Sequence, residues 1–222
     1  MFFGPSQGLQ VQPELDLHHH LADAFRLLLR IDPTFVPSQS YAEMGAGLYA
    51  AWLVAPFAGP LLSPDIAKRR RLDVRLGGSW YPTTSPGTSG WSDVLELEVE
   101  ATVRESIPGE ILVTLRSRVE ARWQVDQPTS FVWRLRLRPQ LEREFPLSHE
   151  AGSSLTPFIS AEFIWTTAQD MWSQFRMHAG LQLGVHWFGT GQVIEVNCSL
   201  ITYLQPARSY SPVVGVVWYQ YF

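Results

Sequence analysis

Polar and apolar residues alternate with a period of two along much of the chain from Leu72 onward. The clearest run covers residues 93–104, where Leu95, Leu97 and Val99 take one face and mainly glutamates take the other. Successive side chains of a strand point to opposite faces, so this alternation predicts β-strands. A helical period of about 3.6 residues would scatter the same charges around the cylinder. The chain is therefore predicted to be all-β.

Turn residues divide the alternating part into hairpins. The sequence Ser106-Ile107-Pro108-Gly109 ends the first run, and a short Pro-Gly turn between two such runs is typical of a β-hairpin. Further alternating or extended segments are predicted at residues 15–31, 41–55, 69–76, 111–124, 131–140, 158–165, 175–187, 193–203 and 213–222. Together these segments predict about ten strands. Residues 21–30 have a helix-favouring content of Ala, Leu and Arg, but we predict a strand there as well.

The alternation fits two architectures that assign the faces oppositely. A soluble barrel or sandwich packs its apolar face inward, whereas a membrane barrel turns that face to lipid and its polar face to the lumen. Many predicted strands reach the length of about nine to eleven residues that a tilted strand needs to cross a bilayer. Aromatic residues also stand near strand ends, as in the interfacial girdles of membrane barrels: Trp80, Trp91, Trp123, Trp187 and Trp218. These features favour the membrane barrel.

The charged residues favour the same assignment of faces. Lysine occurs once, at Lys68, so nearly all the positive charge is arginine, whereas a solvated face usually contains lysine too. Arginine and glutamate in facing rows can fill a narrow lumen with paired side chains. We predict a single closed, antiparallel, up-and-down transmembrane β-barrel at residues 15–222, after an N-terminal extension at residues 1–14. Its lumen-facing charged network is predicted to consist of Arg69, Arg71, Arg75, Glu96, Glu98, Glu100, Arg104, Arg116, Arg118, Glu120, Arg122, Arg134, Arg136 and Arg138.

The last ten residues form an aromatic-rich alternating run that ends on Phe222. With Trp218 and Phe222 on one face, this run resembles the terminal strand of bacterial outer-membrane barrels, in which a C-terminal Phe serves as the assembly signal. The aromatic residue usual two places before the end is Gln220 here. The Arg-rich run at residues 131–138 and the size of the chain also resemble an uncharacterised family of small outer-membrane barrels of unknown function. The resemblance implies a fold, an outer-membrane location, and the outer-membrane lipids and the barrel-assembly machinery as partners.

Composition limits the other function classes. The net charge of −4 and the pI near 5.9 argue against nucleic acid as a partner. The single cysteine, Cys198, offers neither an intramolecular disulfide nor a cysteine cluster for zinc. No stretch of about eighteen to twenty uncharged apolar residues is present, so any membrane span must be a barrel. Residues 1–12 lack the basic start and long apolar core of a secretory signal, so an exported chain would have lost its signal from this numbering.

Two sets of residues contain groups found in reactive sites. The run His18-His19-His20 places two imidazoles on one face of a strand, which fits a polar strand end better than a metal site. His178 or His186 with Ser199 would provide part of a hydrolase site, but no local catalytic motif accompanies them. We therefore expect no catalytic residues, no metal and no cofactor.

The predicted function is that of an outer-membrane barrel with an Arg/Glu-filled lumen, in a structural or narrow-channel role. The excess of arginine across residues 116–138 would favour anions if the lumen conducts. Two alternatives stay open at this point: a soluble, lipocalin-like ligand-binding barrel and an outer-membrane lipid hydrolase.

Overall fold

The structure, a computed structural model, describes residues 8–39, 41–56, 68, 70–84, 91–125, 127–147, 153–168, 171–187, 190–204 and 209–222. Twelve strands and one short 3₁₀ turn (Pro37–Gln39) make up this part of the chain. The strands are β1 (Gln10–Ala22), β2 (Phe25–Val36), β3 (Tyr41–Pro56), β4 (Arg70–Thr84), β5 (Trp91–Ile107), β6 (Ile111–Gln124), β7 (Gln127–Arg143), β8 (Phe145–Pro146), β9 (Ser154–Thr166), β10 (Met171–Trp187), β11 (Thr190–Tyr203) and β12 (Ser209–Tyr221). The all-β prediction is confirmed.

The strands close into one barrel. Each of β1 to β7 pairs with the next, β7 pairs with β9, and pairing continues through β12, which returns to β1. The two-residue β8 extends the β7 pairing along β9 in the same register, so the wall consists of eleven strands. All neighbours are antiparallel except β1 and β12, which run parallel. An up-and-down barrel with an odd number of strands requires one such parallel pair.

The prediction of about ten strands is one short because residues 15–31 form two strands, not one. β1 and β2 form a hairpin whose last paired residues are Ala22 and Phe25, so the turn consists of Asp23 and Ala24. β1 also begins at Gln10, before the barrel boundary predicted at residue 15. The helical alternative for residues 21–30 is wrong, since Phe25 onward is strand.

The predicted turn between β5 and β6 is present. Ile107 and Ile111 are the last paired residues, which leaves a three-residue loop of Pro108, Gly109 and Glu110. Gly109 has φ of 90° and Glu110 has φ of 61°. Glycine adopts such left-handed backbone angles without the steric cost that a side chain brings, which explains Gly109.

The two faces of the barrel wall differ in chemistry. Charged and polar side chains are buried inside, among them Asp16, Arg75, Glu98 and Glu120. Some apolar side chains, such as that of Leu28, are buried inside as well. Each of the eleven wall strands exposes large apolar side chains on the outside, for example Leu48 on β3, Leu97 on β5, Leu115 on β6, Ile159 on β9 and Met177 on β10. Within the described residues, no helix is long and apolar enough to cross a membrane.

Candidate functional site: the charged interior

A row of three glutamates on β5 forms the acidic centre of the interior. Glu96, Glu98 and Glu100 stand two residues apart, so the pleat of the strand points all three inward, and each is at most 5% exposed. An isolated carboxylate at such a site would lose most of its solvation, and burial is tolerated when cations and hydrogen-bond donors replace water. The neighbouring strands supply those cations.

Arginines of β4 and β6 neutralise this row. Arg118 donates through Nε to Glu100 at 2.8 Å and approaches it through Nη2 at 2.7 Å. Arg75 lies 2.9 Å from Glu100 and 3.4 Å from Glu98. Arg122 lies 3.0 Å from Glu96. The three carboxylates are therefore tied to both neighbouring strands.

Glu120 is the second acidic centre and is completely buried. Arg134 donates to its Oε2 through Nε at 2.5 Å, and Arg136 donates to its Oε1 through Nη1 at 3.0 Å. Arg118 lies 3.6 Å away. Both carboxylate oxygens thus have guanidinium partners, which is the condition under which a buried charge is stable.

Glu162 on β9 continues the network toward β10. It accepts hydrogen bonds from Nη2 and Nε of Arg136 at 2.7 and 3.0 Å, and Arg176 on β10 lies 3.7 Å away. Arg136 therefore joins Glu120 and Glu162, and the network crosses from β5 to β10 without leaving the interior.

A second group of ion pairs lies on β1 and β2. Arg30 forms a two-pronged contact with Asp16, in which Nε and Nη2 each donate to one carboxylate oxygen at 2.9 Å. The Nε atom also lies 2.9 Å from Glu14. Arg30 further stands over the ring of the buried Tyr49 at 5.5 Å, and Arg75 stands over the same ring at 5.1 Å. Tyr49 therefore contacts a cation of this group and a cation that pairs with the glutamate row of β5.

Opposite charges are present in equal number around the interior of the described chain. Twelve basic residues line the cavities: Arg26, Arg30, Lys68, Arg75, Arg104, Arg116, Arg118, Arg122, Arg134, Arg136, Arg138 and Arg176. Twelve acidic residues line the cavities or pair with those cations: Glu14, Asp16, Asp32, Glu43, Asp73, Glu96, Glu98, Glu100, Glu120, Glu142, Glu162 and Glu195. The excess of negative charge that gives the whole chain its net charge of −4 therefore comes from residues outside this set.

The side chains leave limited free space inside the barrel. One cavity of about 310 Å³ is bordered by residues of the network. A second cavity of about 100 Å³ lies where Lys68 contacts Glu142 at 2.7 Å and Gln182 at 2.7 Å. Arg104, Arg116 and Arg138 border both cavities, so the two spaces adjoin there.

Twelve of the fourteen residues predicted for the lumen come together in this network. Arg71 does not join it, because its side chain is 56% exposed and lies 3.5 Å from the equally exposed Glu105. Arg69 lies outside the described residues. Arg70, between them, donates to the backbone carbonyl of Asp23 at 2.9 Å. Trp218 and Phe222, predicted as the assembly signal, are exposed on the outside of β12 and at its end.

Sequence reasoning missed several members of the network. Glu162 stands alone in an apolar run, and only its parity with Ser160 marked it as inward-facing. Asp16 and Arg30 fell in the segment interpreted as a single strand, so their contact across the β1–β2 hairpin was not foreseen. Glu142 and Lys68 pair across 74 residues of chain, which no local pattern predicts.

Three carboxylates of the network, those of Glu96, Glu98 and Glu120, lie within 4.8 Å of one another and are the described group closest to a metal-ligand arrangement. Each already has an arginine within 3.1 Å. Guanidinium groups thus occupy the positions that a cation would take. His18 of the histidine run, interpreted from the sequence as a polar strand end, stacks on Tyr221 with ring centroids 4.7 Å apart.

His178 and Ser199 are in contact, with Nδ1 and Oγ 2.6 Å apart. Both line the large cavity, and Nε2 of His178 is buried without a hydrogen-bond partner, so no carboxylate orients the ring as in a catalytic triad. The pair also lies on the inner face of the wall, opposite to the apolar outside. A lipid lying against the outside would not reach Ser199. The side chain of His186 lies outside the described part of the structure.

Comparison of the chain with protein-family models, with curated proteins and with solved structures gives no match.

Proposed function

We propose that the protein is a bacterial outer-membrane β-barrel in a structural or narrow-channel role, with an interior filled by arginine-carboxylate pairs. The observation that carries the proposal is the distribution of side chains: buried charges inside and exposed large apolar side chains on the outside of each wall strand. In water this outside would be a large apolar surface without a partner, whereas lipid tails match it.

The dimensions of the strands support the same proposal. The eleven wall strands are 12 to 17 residues long. A tilted strand needs about nine to eleven residues to cross the hydrocarbon layer, so each strand is long enough to span it and extend beyond. Exposed aromatic residues near strand ends, such as Trp80, Trp172 and Trp218, fit the interfacial zones of a bilayer.

The lipocalin-like alternative requires an apolar interior that receives an apolar ligand. The interior cavities are bordered mainly by charged and polar residues, and the apolar surface faces outward. No observation therefore favours a soluble ligand-binding barrel over the membrane barrel.

The experiment for the membrane location uses the full chain expressed with an export signal. Envelopes are fractionated, and the protein is run on a detergent gel with and without boiling. We expect it in the outer-membrane fraction with a shift in migration on boiling, because closed barrels resist unfolding by detergent until heated. A protein that stays soluble without detergent and shows no shift would overturn the proposal.

The channel part of the proposal has a separate test in planar bilayers. Because paired side chains fill most of the lumen, we expect single-channel conductance far below that of an open porin, or none, as in a structural barrel. A large, water-filled conductance would contradict a lumen occupied by the ion pairs described above.

A further inference from the structure

Two arginines face each other across the β6–β7 pair without a carboxylate between them. Arg116 and Arg138 are direct register partners and both line the interior cavities. Like charges directly opposite each other on one face of a sheet are destabilising. This pair therefore needs a compensating negative charge.

The next pair along the same strands shows how the chain normally meets that need. Arg118 and Arg136 are also direct register partners. Glu120 contacts both, at 3.6 and 3.0 Å, and each arginine has a further carboxylate within 2.7 Å. The Arg118–Arg136 pair is thus bridged by a carboxylate of the chain itself.

At the Arg116–Arg138 pair, no carboxylate of the described residues contacts both arginines. Among the described residues, Arg138 has no carboxylate oxygen within 4.0 Å, and it donates through Nε to the Ser160 hydroxyl at 3.0 Å. Arg116 approaches Glu100 only at 3.7 Å, and its Nε is buried without a hydrogen-bond partner.

Three of the carboxylates near this pair are already engaged by other cations. Glu100 is held by Arg118 and Arg75. Glu162 is held by Arg136 at 2.7 Å. Glu142 is held by Lys68 at 2.7 Å. A rotation of any of these three side chains toward Arg138 would leave another buried cation unpaired. Glu195, which also lines both cavities, accepts hydrogen bonds from the side-chain amides of Gln182 and Asn197, each at 2.8 Å, and forms no ion pair with Arg116 or Arg138.

Space for an outside anion exists at this point. The two arginines border both the 310 Å³ cavity and the 100 Å³ cavity. A single water needs only about 10–15 Å³ of such space, so either cavity has room for a small anion and its hydration. The lining is polar, which suits a hydrated ion.

We propose that Arg116 and Arg138 bind a small free oxyanion of the phosphate or sulfate type between their guanidinium groups. Guanidinium presents paired N–H donors that match two oxygens of such an anion. The phosphate of a membrane lipid is excluded as the source because the site lies on the inner face of the wall. Because the site lies in the interior of the barrel, this proposal does not depend on the proposed membrane location.

Isothermal titration calorimetry with inorganic phosphate tests the site on the purified barrel in an uncharged detergent, with chloride as the competing anion at constant ionic strength. Wild type is expected to bind one phosphate saturably. Arg138→Gln and, separately, Arg116→Gln should weaken binding about tenfold or more, since each removes one of the two charged partners. Arg143→Gln is the matched control, because Arg143 is an exposed arginine on the same strand and pairs with Glu110 in the β5–β6 turn. It should bind like wild type.

Thermal unfolding without phosphate distinguishes a binding site from a structural role. Relief of the repulsion should leave Arg138→Gln and Arg116→Gln as stable as wild type or more so, and phosphate should raise the unfolding temperature of wild type and the control only. Absence of saturable phosphate binding by wild type would overturn the proposal. So would wild-type affinity in both variants, or a loss of stability in both without phosphate.

Discussion

At the level of single residues, Glu120 joins arginines of β6 and β7 inside the barrel. It is completely buried and shared by the guanidinium groups of Arg134 and Arg136, with Arg118 close by. Removing one partner of a buried ion pair leaves the other charge without compensation and typically costs about 3–5 kcal/mol.

We expect Glu120→Gln to lower the free energy of unfolding by about 3–5 kcal/mol, since the amide leaves buried arginine charge uncompensated. Urea unfolding of the barrel in lipid vesicles, followed by tryptophan fluorescence, measures this change. Glu105→Gln is the control, because Glu105 is 60% exposed and pairs with an exposed Arg71. A surface change of this kind should stay within about 0.5 kcal/mol of wild type. Equal stability of the two variants would mean that the interior does not depend on its ion pairs.

The inward-facing residues of β5 to β7 were predictable because parity alone decides the face of a strand. Glu96, Glu98 and Glu100 share a parity, and so do Arg134, Arg136 and Arg138 of β7. Parity does not say which carboxylate an arginine contacts. Arg136 reaches Glu120 on one neighbouring strand and Glu162 on the other, and this choice depends on register and on side-chain reach.

At the level of elements, one missed turn accounts for the difference between the predicted and the observed barrel. The β1–β2 turn consists of Asp23 and Ala24 within an apolar stretch, so it lacks the Gly, Pro or Asn that marks most tight hairpins. An even number of strands would close the barrel with an antiparallel pair. The additional strand makes the number odd and the closing pair parallel.

The parallel closure can be tested by a disulfide across the seam. Val11 and Val214 are register partners on β1 and β12, and both point outward. In a background in which Cys198 is replaced by Ala, we expect the pair Val11→Cys and Val214→Cys to crosslink on mild oxidation. Partners in a ladder lie within the distance of about 4.4–6.8 Å that a disulfide requires between Cα atoms. A gel without reductant detects the closed loop.

The matched control for the seam moves one cysteine by two residues. Val11→Cys with Val216→Cys keeps both thiols outward but adds an offset of about 6.6 Å along the strand, beyond the reach of a disulfide. Crosslinking of the control in place of the first pair would show a different register. No crosslinking in either would contradict the β1–β12 pairing.

On the scale of the whole molecule, the last strand closes the barrel and carries the proposed assembly signal. Phe222 donates its N–H to the carbonyl of His18 at 2.9 Å and accepts from the N–H of His20 at 3.2 Å, while its ring is 54% exposed. The backbone of Phe222 therefore helps to close the seam, and its side chain stays exposed.

We expect Phe222→Ala to lower the amount of heat-modifiable protein in the outer membrane severalfold, because an exposed ring contributes to recognition during assembly more than to packing afterwards. Tyr210→Ala is the control on the same strand, with a ring that is 56% exposed. Quantified gels of outer-membrane fractions, with and without boiling, give the readout. Equal amounts of assembled protein for both variants would refute a signal role for Phe222.

The odd number of strands sets this barrel apart from most single-chain bacterial barrels, which have an even number. Since β1 and β12 run in the same direction, Gln10 lies beside the start of β12 and Phe222 beside the far end of β1. The two ends of the barrel chain therefore leave from opposite rims, whereas an even number would bring both to one rim. In a membrane, a peptide joined ahead of Gln10 and one joined after Phe222 would therefore lie in different compartments. A single chain of this design would expose one of its ends on each side of the membrane.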